Sequence, residues 1–244
     1  MFDIHNHVLP RIDDGAGNKI IALRMLEQAI AQGITHVCCT PHASDRATEQ
    51  TNQHFQQAFA ELNEIVVKQS MPIELGLAAE LMIGTDLQRV LEFPFATYNG
   101  QGKYFLLEFH RDMSHEIILN VLKTVRRWGK RPVIAHVERY MRVVASPERP
   151  QELRNEGAIL TLDAGSLVGQ FGSVMEKRSR ALLELDVIDI LASDAHNDDH
   201  HGFYLKQSLP VAESILGSAR ARQLVIDNPR RVWFGESWPE NRAS

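Results

Sequence analysis

The sequence predicts a single α/β domain over residues 1–244, built around one parallel, barrel-like sheet. Short apolar runs alternate with longer amphipathic segments from one end of the chain to the other, which is the pattern of repeated strand–helix units. Polar clusters follow nearly every apolar run, whereas an open doubly wound sheet usually carries one ligand crevice. A closed sheet is therefore favoured over the open sheet, which is the structural alternative.

The composition is ordinary for a soluble globular protein of this size. Hydrophobic residues make up 44%, charged residues 23%, and the net charge of −5 gives no electrostatic reason to expect nucleic-acid binding. Cys38 and Cys39 are adjacent and make no disulfide framework, which indicates a reducing compartment. No apolar stretch approaches the roughly 18 residues of a membrane span, and no leader pattern precedes the first strand. We expect a cytoplasmic protein with no direct membrane insertion.

Seven strands and the helices between them follow from the apolar pattern. The strands are expected at 2–7, 34–40, 73–80, 103–109, 132–137, 158–164 and 187–193. The helices are expected at Asn18–Gln32, Thr48–Lys68, Thr85–Glu92, Ser114–Trp128, Pro147–Asn155 and Val174–Leu185, with one or two more in Phe203–Asp227. Gly33, Gly129 and Gly157 each follow a helix and precede a strand, where a left-handed C-cap residue is favoured.

The first strand carries Asp-x-His-x-His at residues 3–7, followed by Ile-Asp-Asp-Gly at 12–15. Alternate residues of a strand point the same way, so His5 and His7 can bind one metal ion. The pair alone is a weak signal. It gains weight because similar clusters follow the later strands.

Those clusters stand where predicted strands two, three, four, five and seven end. Carboxyl ends of the strands meet at one rim of a parallel barrel, so side chains that follow them gather there. Together with the first cluster they give nine potential metal ligands: His5, His7, Asp14, His42, Glu80, Glu108, His136, Asp194 and His196.

Nine ligands exceed the four to six that one ion requires, so two or three divalent ions fit the count better. Imidazole suits zinc, iron and nickel, and carboxylate oxygens suit manganese and magnesium, which leaves the metal open. Three divalent ions and four carboxylates would leave a positive field suited to a dianion such as a phosphomonoester. Each residue also has a structural explanation: Glu108 as a surface carboxylate, His42 or Asp194 as a helix cap, His136 as a core histidine. Six rim positions would need such explanations at once, and this favours the metal centre.

Other catalytic motifs fit poorly. Six residues separate Cys39 from Arg46, whereas the phosphate loop of cysteine phosphatases needs five, and Cys38 has Ser44 at that place. No Gly-x-Ser-x-Gly elbow and no Walker A loop occur. The glycine-flanked segment 165–172 is interpreted as a tight loop at the rim. His200 and His201, beside Asp198 and Asp199, are interpreted as part of a solvated loop, with extra ligands as the alternative.

Six motifs together resemble one family. They are Asp-x-His-x-His, Ile-Asp-Asp-Gly, Thr-Pro-His, His-x-Glu-Arg-Tyr, Ala-Gly-Ser-Leu-x-Gly-x-Phe-Gly and Ala-Ser-Asp-Ala-His-Asn, spread from residue 2 to about 235. The set resembles the bacterial manganese-dependent protein-tyrosine phosphatases of capsule and exopolysaccharide synthesis, in the polymerase-and-histidinol-phosphatase (PHP) superfamily. The resemblance implies a distorted seven-stranded TIM-like barrel with a trinuclear Mn²⁺ centre, held by the same nine residues. Mg²⁺, iron, Co²⁺ and Zn²⁺ are the alternative metals.

The resemblance also implies which residues bind the substrate. Arg139 matches the family arginine that binds the phosphate. A second family arginine usually lies five residues beyond the last ligand histidine, where this chain has His201. The missing contact is expected from Lys206, or from Arg11, which stands where a glycine is common. His201 is the candidate for proton donation.

The resemblance makes the expected reaction the hydrolysis of phosphotyrosine on the tail of a membrane-associated kinase of polysaccharide assembly. The hypothesis is in-line attack on phosphorus by a water that bridges two metal ions. Arg139 would hold phosphate oxygens. A phenolate leaving group, with a conjugate-acid pKa of about 10, needs little general-acid catalysis. The alternatives are a small-molecule phosphomonoesterase such as a histidinol-phosphate phosphatase, and a non-catalytic metal-binding regulatory module. A nuclease on this scaffold lacks the basic surface it would need.

Overall fold

Short parallel strands form the centre of the structure, a computed structural model that describes residues 1–239. The last five residues of the domain expected at 1–244 lie outside the described residues. Within residues 1–239 the strands are β1 (Phe2–Asp3), β2 (His36–Cys39), β3 (His42–Ala43), β4 (Glu74–Leu77), β5 (Glu80–Met82), β6 (Tyr104–Glu108), β7 (Arg131–Ile134), β8 (Ile159–Asp163) and β9 (Ile190–Ala192).

These strands pair in two sheets. One has the order β1-β2-β4 and the other β3-β5-β6-β7-β8-β9, with every ladder parallel. An isolated parallel bridge joins Asn6 to Ala195, so the segments that follow β1 and β9 lie side by side. The parallel α/β architecture is confirmed. The predicted count of seven strands is wrong, and the ladders of residues 1–239 do not form one closed barrel.

The count differs because two predicted strands are each divided in two. The segment expected at 34–40 gives β2 and then β3, and the segment at 73–80 gives β4 and then β5. Pro41 lies at the first break and has no N–H for the ladder. Thr40 turns its N–H to the carbonyl of Asn6 at 2.9 Å instead. The strands are therefore interrupted just before two predicted ligands, His42 and Glu80.

Helices connect the strands in nearly the expected places. They are α1 (Lys19–Ala31), α2 (Glu49–Lys68), α3 (Leu87–Val90), α4 (His115–Arg127), α5 (Glu148–Asn155), α6 (Ala164–Leu167), α7 (Ser173–Glu184), α8 (Leu205–Leu216), α9 (Ser218–Arg222) and α10 (Asn228–Trp233), with a π-helical turn at Gln223–Asp227. Only one turn, α3, forms in the stretch predicted at Thr85–Glu92. The three predicted C-cap glycines are all left-handed, with φ of 79° at Gly33, 70° at Gly129 and 92° at Gly157.

The buried apolar residues form two clusters, and the strands contribute to both. Alternate residues of β6 divide between them: Tyr104 and Leu106 pack into the smaller cluster, whereas Phe105 and Leu107 pack into the larger one with the helices. Glu108 follows Leu106 by two positions and so continues the inner face at the strand end. This alternation places carboxylates and imidazoles above an apolar floor.

The cysteines are part of these clusters. Both are free and buried, and burial raises the pKa of Cys39 to about 12. A thiol with that pKa is protonated at neutral pH and is a poor nucleophile, which agrees with the packing role inferred from the sequence. Among the described helices, none combines the length and the hydropathy needed to cross a bilayer.

Candidate metal centre

The nine predicted ligands meet at the carboxyl ends of the strands. Donor atoms of eight of them, with His201, form overlapping groups in which all atoms lie within 4.8 Å of one another. The ninth, His136, lies with its Nε2 3.1 Å from Glu80 Oε1. These groups are His5, His7, Glu80 and Asp194; His7, Asp14, His42 and His196; His42, Glu80 and Glu108; and Asp194, His196 and His201. The pairing of β3 with β5 helps to assemble them, because it sets His42 directly opposite Glu80.

The first group is fully buried and converges on one point. His5 Nε2 lies 3.2 Å from both Glu80 Oε2 and Asp194 Oδ1. His7 Nε2 lies 3.4 Å from the same two oxygens. Both Nε2 atoms and Glu80 Oε2 are buried without a hydrogen-bond partner among the described residues. Each such orphaned atom costs about 1–3 kcal/mol, and a cation would satisfy all three, so this donor set fits a divalent metal.

Glu80 also faces a second set of donors. Its other oxygen, Oε1, lies 3.1 Å from His136 Nε2, which in turn lies 3.5 Å from Glu108 Oε1. One carboxylate thus has an oxygen toward each set, as a bridging ligand requires. A third set lies at the open side, where Asp14 Oδ1 is 3.6 Å from His42 Nε2 and 3.5 Å from His196 Nε2. The first two sets share Glu80, and His42, whose Nδ1 lies 3.1 Å from Glu80 Oε2, links the third set to them. Three neighbouring sets suit the two or three ions expected from the ligand count.

Two of these residues are held in strained backbone conformations. His136 has φ of 29° and Asp194 has φ of 49°, in the left-handed region that non-glycine residues rarely adopt. Such residues cost about 1–3 kcal/mol and persist where neighbours fix them. Here Thr161 Oγ1 accepts the His136 N–H at 3.1 Å, and the His5 carbonyl accepts the Asp194 N–H at 2.8 Å. Both strained residues are predicted ligands, so these conformations help to set where their donor atoms lie.

Asp13 orients a ligand and was given no role from the sequence. Its Oδ2 lies 2.7 Å from His7 Nδ1 and accepts the His42 N–H at 2.9 Å. A carboxylate on Nδ1 leaves Nε2 of His7 to face the cluster, which is how metal-binding histidines are commonly fixed. Gly15 completes the turn, because a Cβ there would lie 2.1 Å from the His7 carbonyl oxygen. The signal for Asp13 in the sequence is its place beside Asp14, the residue of this acidic pair that is predicted as a ligand.

The histidines and carboxylates of the cluster shift one another's pKa values. Burial alone would lower the pKa of His5 and His7, but the carboxylates around them raise both, that of His7 well above its usual value. Burial would raise the pKa of Glu80 and Asp194, but the adjacent histidines hold both well below their usual range. Glu108 differs, since burial and the nearby Glu80 raise its pKa to about 7.

Metal binding is therefore expected to release protons and to strengthen as the pH rises. The pKa values of His5 and His7 are raised, so both imidazoles keep a proton to higher pH than a free imidazole does and must lose it to coordinate a cation. Titration of chelator-treated protein with Mn²⁺ in buffers of different ionisation enthalpy, between about pH 6 and about pH 8, measures that release. His54→Ala, at an exposed histidine on α2, should leave the proton count unchanged. A pH-independent affinity with no proton release would contradict the prediction.

Arg139 lies beside the cluster, as expected for a phosphate-binding residue. Its Nη2 donates to Asp163 Oδ2 at 2.6 Å and to Asp194 Oδ2 at 2.7 Å. The other oxygen of Asp194 faces His5 and His7. Asp163 is buried and was missed from the sequence, where it looked like the end of an apolar strand. An acidic residue at the carboxyl end of a strand was the signal that could have found it.

Three further residues were predicted near the phosphate: His201, Arg11 and Lys206. The ring of His201 stacks on His196 with centroids 4.4 Å apart, and its Nε2 lies 3.8 Å from Asp194 Oδ2. Burial lowers the pKa of His201 to about 4, so the ring is neutral at pH 7. Arg11 instead lines a groove with Lys19 and His54. The backbone N–H of Lys206 donates to Gln32 Oε1 at 3.2 Å.

Comparisons with known proteins agree with this site. The family profile described as "Capsular polysaccharide synthesis, CpsB/CapC" matches residues 1–233. The chain is 31% identical over 218 residues to tyrosine-protein phosphatase YwqE of Bacillus subtilis (strain 168), covering 89% of this chain and 86% of that protein. It is 27% identical over 237 residues to tyrosine-protein phosphatase CpsB of Streptococcus pneumoniae, covering 95% and 98%. Solved structures of YwqE and CpsB, described as unique metal-dependent tyrosine phosphatases, give a TM-score of 0.88 at 29% identity, covering 97% of this chain and 96% of the solved chain.

Proposed function

Because this chain belongs to the capsular polysaccharide synthesis family CpsB/CapC, we propose that it is a metal-dependent tyrosine-protein phosphatase, an enzyme that hydrolyses phosphotyrosine. The observation that carries the proposal is the meeting of two donor sets at Glu80, with Arg139 hydrogen-bonded to Asp194, one of the ligands. The family membership supports the same chemistry, since the relatives are named as tyrosine-protein phosphatases.

The nine residues would hold two or three divalent cations, and we propose Mn²⁺. A site with both carboxylates and imidazoles suits Mn²⁺ and leaves Mg²⁺, iron, Co²⁺ or Zn²⁺ as alternatives. Such cations neutralise phosphate oxygens and bring the pKa of bound water from 15.7 to about 7 in favourable cases.

The side chains around the cluster would bind and orient the phosphate. The two hydrogen bonds of the Arg139 guanidinium to protein both leave from Nη2. Its Nε and Nη1 are therefore suited to two phosphate oxygens, in the planar geometry of arginine. We propose that His201 donates a hydrogen bond to a third oxygen from its neutral ring, in place of the second arginine of the family. The phenolate leaving group, with a conjugate-acid pKa of about 10, needs little proton donation.

The substrate that we propose is a phosphotyrosine protein, with the flexible tail of a membrane-associated tyrosine kinase of polysaccharide assembly as the first candidate. A flexible tail suits a site whose buried ligands lie below a rim, because a loose segment can bring its phosphotyrosine to them. We also propose that the chain acts as one domain in the cytoplasm, and that its activity regulates capsule or exopolysaccharide synthesis.

The test compares three substrates after chelation and reloading with each metal in turn. We expect Mn²⁺ to restore hydrolysis of a phosphotyrosine peptide, at a rate well above that for the matched phosphoserine peptide or for histidinol phosphate. A preference for histidinol phosphate would replace the proposal with the small-molecule phosphatase. A protein that binds the metals and hydrolyses none of the three would be the non-catalytic regulatory module.

A further inference from the structure

We propose that Phe171 packs against the phenyl ring of the substrate and makes this site selective for aryl phosphates over alkyl phosphates. The proposal rests on the proposed phosphatase function and adds a specificity residue to it. Phe171 lies in the short loop between α6 and α7, and its side chain is half-buried.

The ring of Phe171 touches both side chains assigned to the phosphate. Its centroid lies 5.7 Å from Arg139 Cζ. It meets the His201 ring edge-on, with centroids 4.8 Å apart and an interplanar angle of 74°. In a phosphotyrosine the phenyl ring is one ester oxygen away from phosphorus, so a phosphate bound by Arg139 brings that ring close to Phe171. Aromatic rings attract one another at centroid separations of about 4.5–7 Å.

The loop is built to hold the Phe171 ring in this place. A Cβ at Gly165 would lie 2.8 Å from Phe171 Cε2 and 3.1 Å from Tyr204 Cδ2, so only glycine leaves room for the ring. Asp163 Oδ1 accepts the Gly165 N–H at 2.7 Å, and the Gly165 carbonyl accepts the Gln170 N–H at 3.0 Å. The same turn therefore fixes both Phe171 and Asp163, the carboxylate that holds Arg139.

Partial exposure separates Phe171 from the phenylalanines of the core. Phe95, Phe105 and Phe109 are at most 1% exposed, whereas Phe171 is only half-buried. An aromatic ring left partly open beside a phosphate-binding arginine retains surface that a second ring can cover. A structural role also exists, since the ring could support Arg139 through a cation–π contact. A structural role would affect the binding of aryl and alkyl compounds alike, whereas a specificity role would affect only that of aryl compounds.

The experiment measures competitive inhibition of the Mn²⁺-loaded protein by phenylphosphonate and by methylphosphonate. We expect Phe171→Ala to raise the inhibition constant of phenylphosphonate about fivefold to tenfold, and that of methylphosphonate less than about twofold. Phe171→Tyr should restore the difference, because it keeps the ring. Phe234→Ala is the matched control: Phe234 is 50% exposed and packs near Phe2 and His36 at the opposite ends of the strands.

The outcomes separate this inference from the function on which it rests. Equal weakening of both phosphonates by Phe171→Ala would mean that the ring supports Arg139, and would overturn the inference alone. No weakening of either would overturn it as well. A wild-type protein that hydrolyses no phosphate ester with any metal would refute the proposed function and the inference together.

Discussion

Glu80→Gln is expected to lower kcat/KM for a phosphotyrosine peptide by about a thousandfold, equivalent to about 4 kcal/mol of transition-state stabilisation. The reason is that Glu80 serves two donor sets, with Oε2 3.2 Å from His5 Nε2 and Oε1 3.1 Å from His136 Nε2. The amide has the same shape but no negative charge, and its NH₂ group cannot act as a ligand. The variant should therefore lose more than one metal ion per chain. Elemental analysis of the purified protein and steady-state kinetics measure the two effects.

Glu74→Gln provides a matched control for that change. Glu74 lies on β4, six positions earlier, with a side chain that is 64% exposed and an Oε2 atom 3.5 Å from His36 Nε2. The same chemical change there should leave metal content and kcat/KM as in the wild type. Full metal content in Glu80→Gln, with activity within about threefold of wild type, would refute the bridging role.

Arg139→Ala is expected to lower kcat/KM by about 10²–10³ and to weaken inhibition by inorganic phosphate. Arg139 adjoins the cluster, because its Nη2 donates to Asp194 Oδ2 at 2.7 Å. Arg139→Lys should recover only part of the loss, because an ammonium group lacks the planar pair of donors. Metal content, measured in parallel, shows whether the loss arises at the phosphate or at the ions. Unchanged phosphate inhibition in Arg139→Ala would contradict the assignment.

A double-mutant cycle tests whether Asp163 acts through Arg139. The 2.6 Å hydrogen bond between them predicts that Asp163→Asn lowers kcat/KM about tenfold in the wild type. The same substitution should have no further effect in Arg139→Ala, because the group that it positions is gone. Independent, multiplicative losses would mean that Asp163 stabilises the site by another route.

Much of the fold and most of the candidate ligands could be predicted from the sequence, because they depend on local patterns. Alternation along a strand predicts that His5 and His7 project together, and the order of apolar and amphipathic segments predicts parallel strands. A parallel sheet then requires the strand ends to share one edge, which predicted that Glu108 and Asp194 would meet the histidines. The family match confirms the resemblance that the motifs indicated.

Only the tertiary structure decided how these residues are arranged in space. It divides the ligands into three neighbouring sets, two of which share Glu80. It also interrupts the sheet at Pro41 and joins Asp163 to Arg139 across 24 positions. It also brings Phe171 to Arg139 and places Arg11 in a groove with Lys19 and His54. The physical reason is that periodicity determines which face of an element a side chain occupies. Distances between elements depend instead on strand order, on loop geometry and on left-handed residues such as Asp194, which a pattern along the chain does not encode.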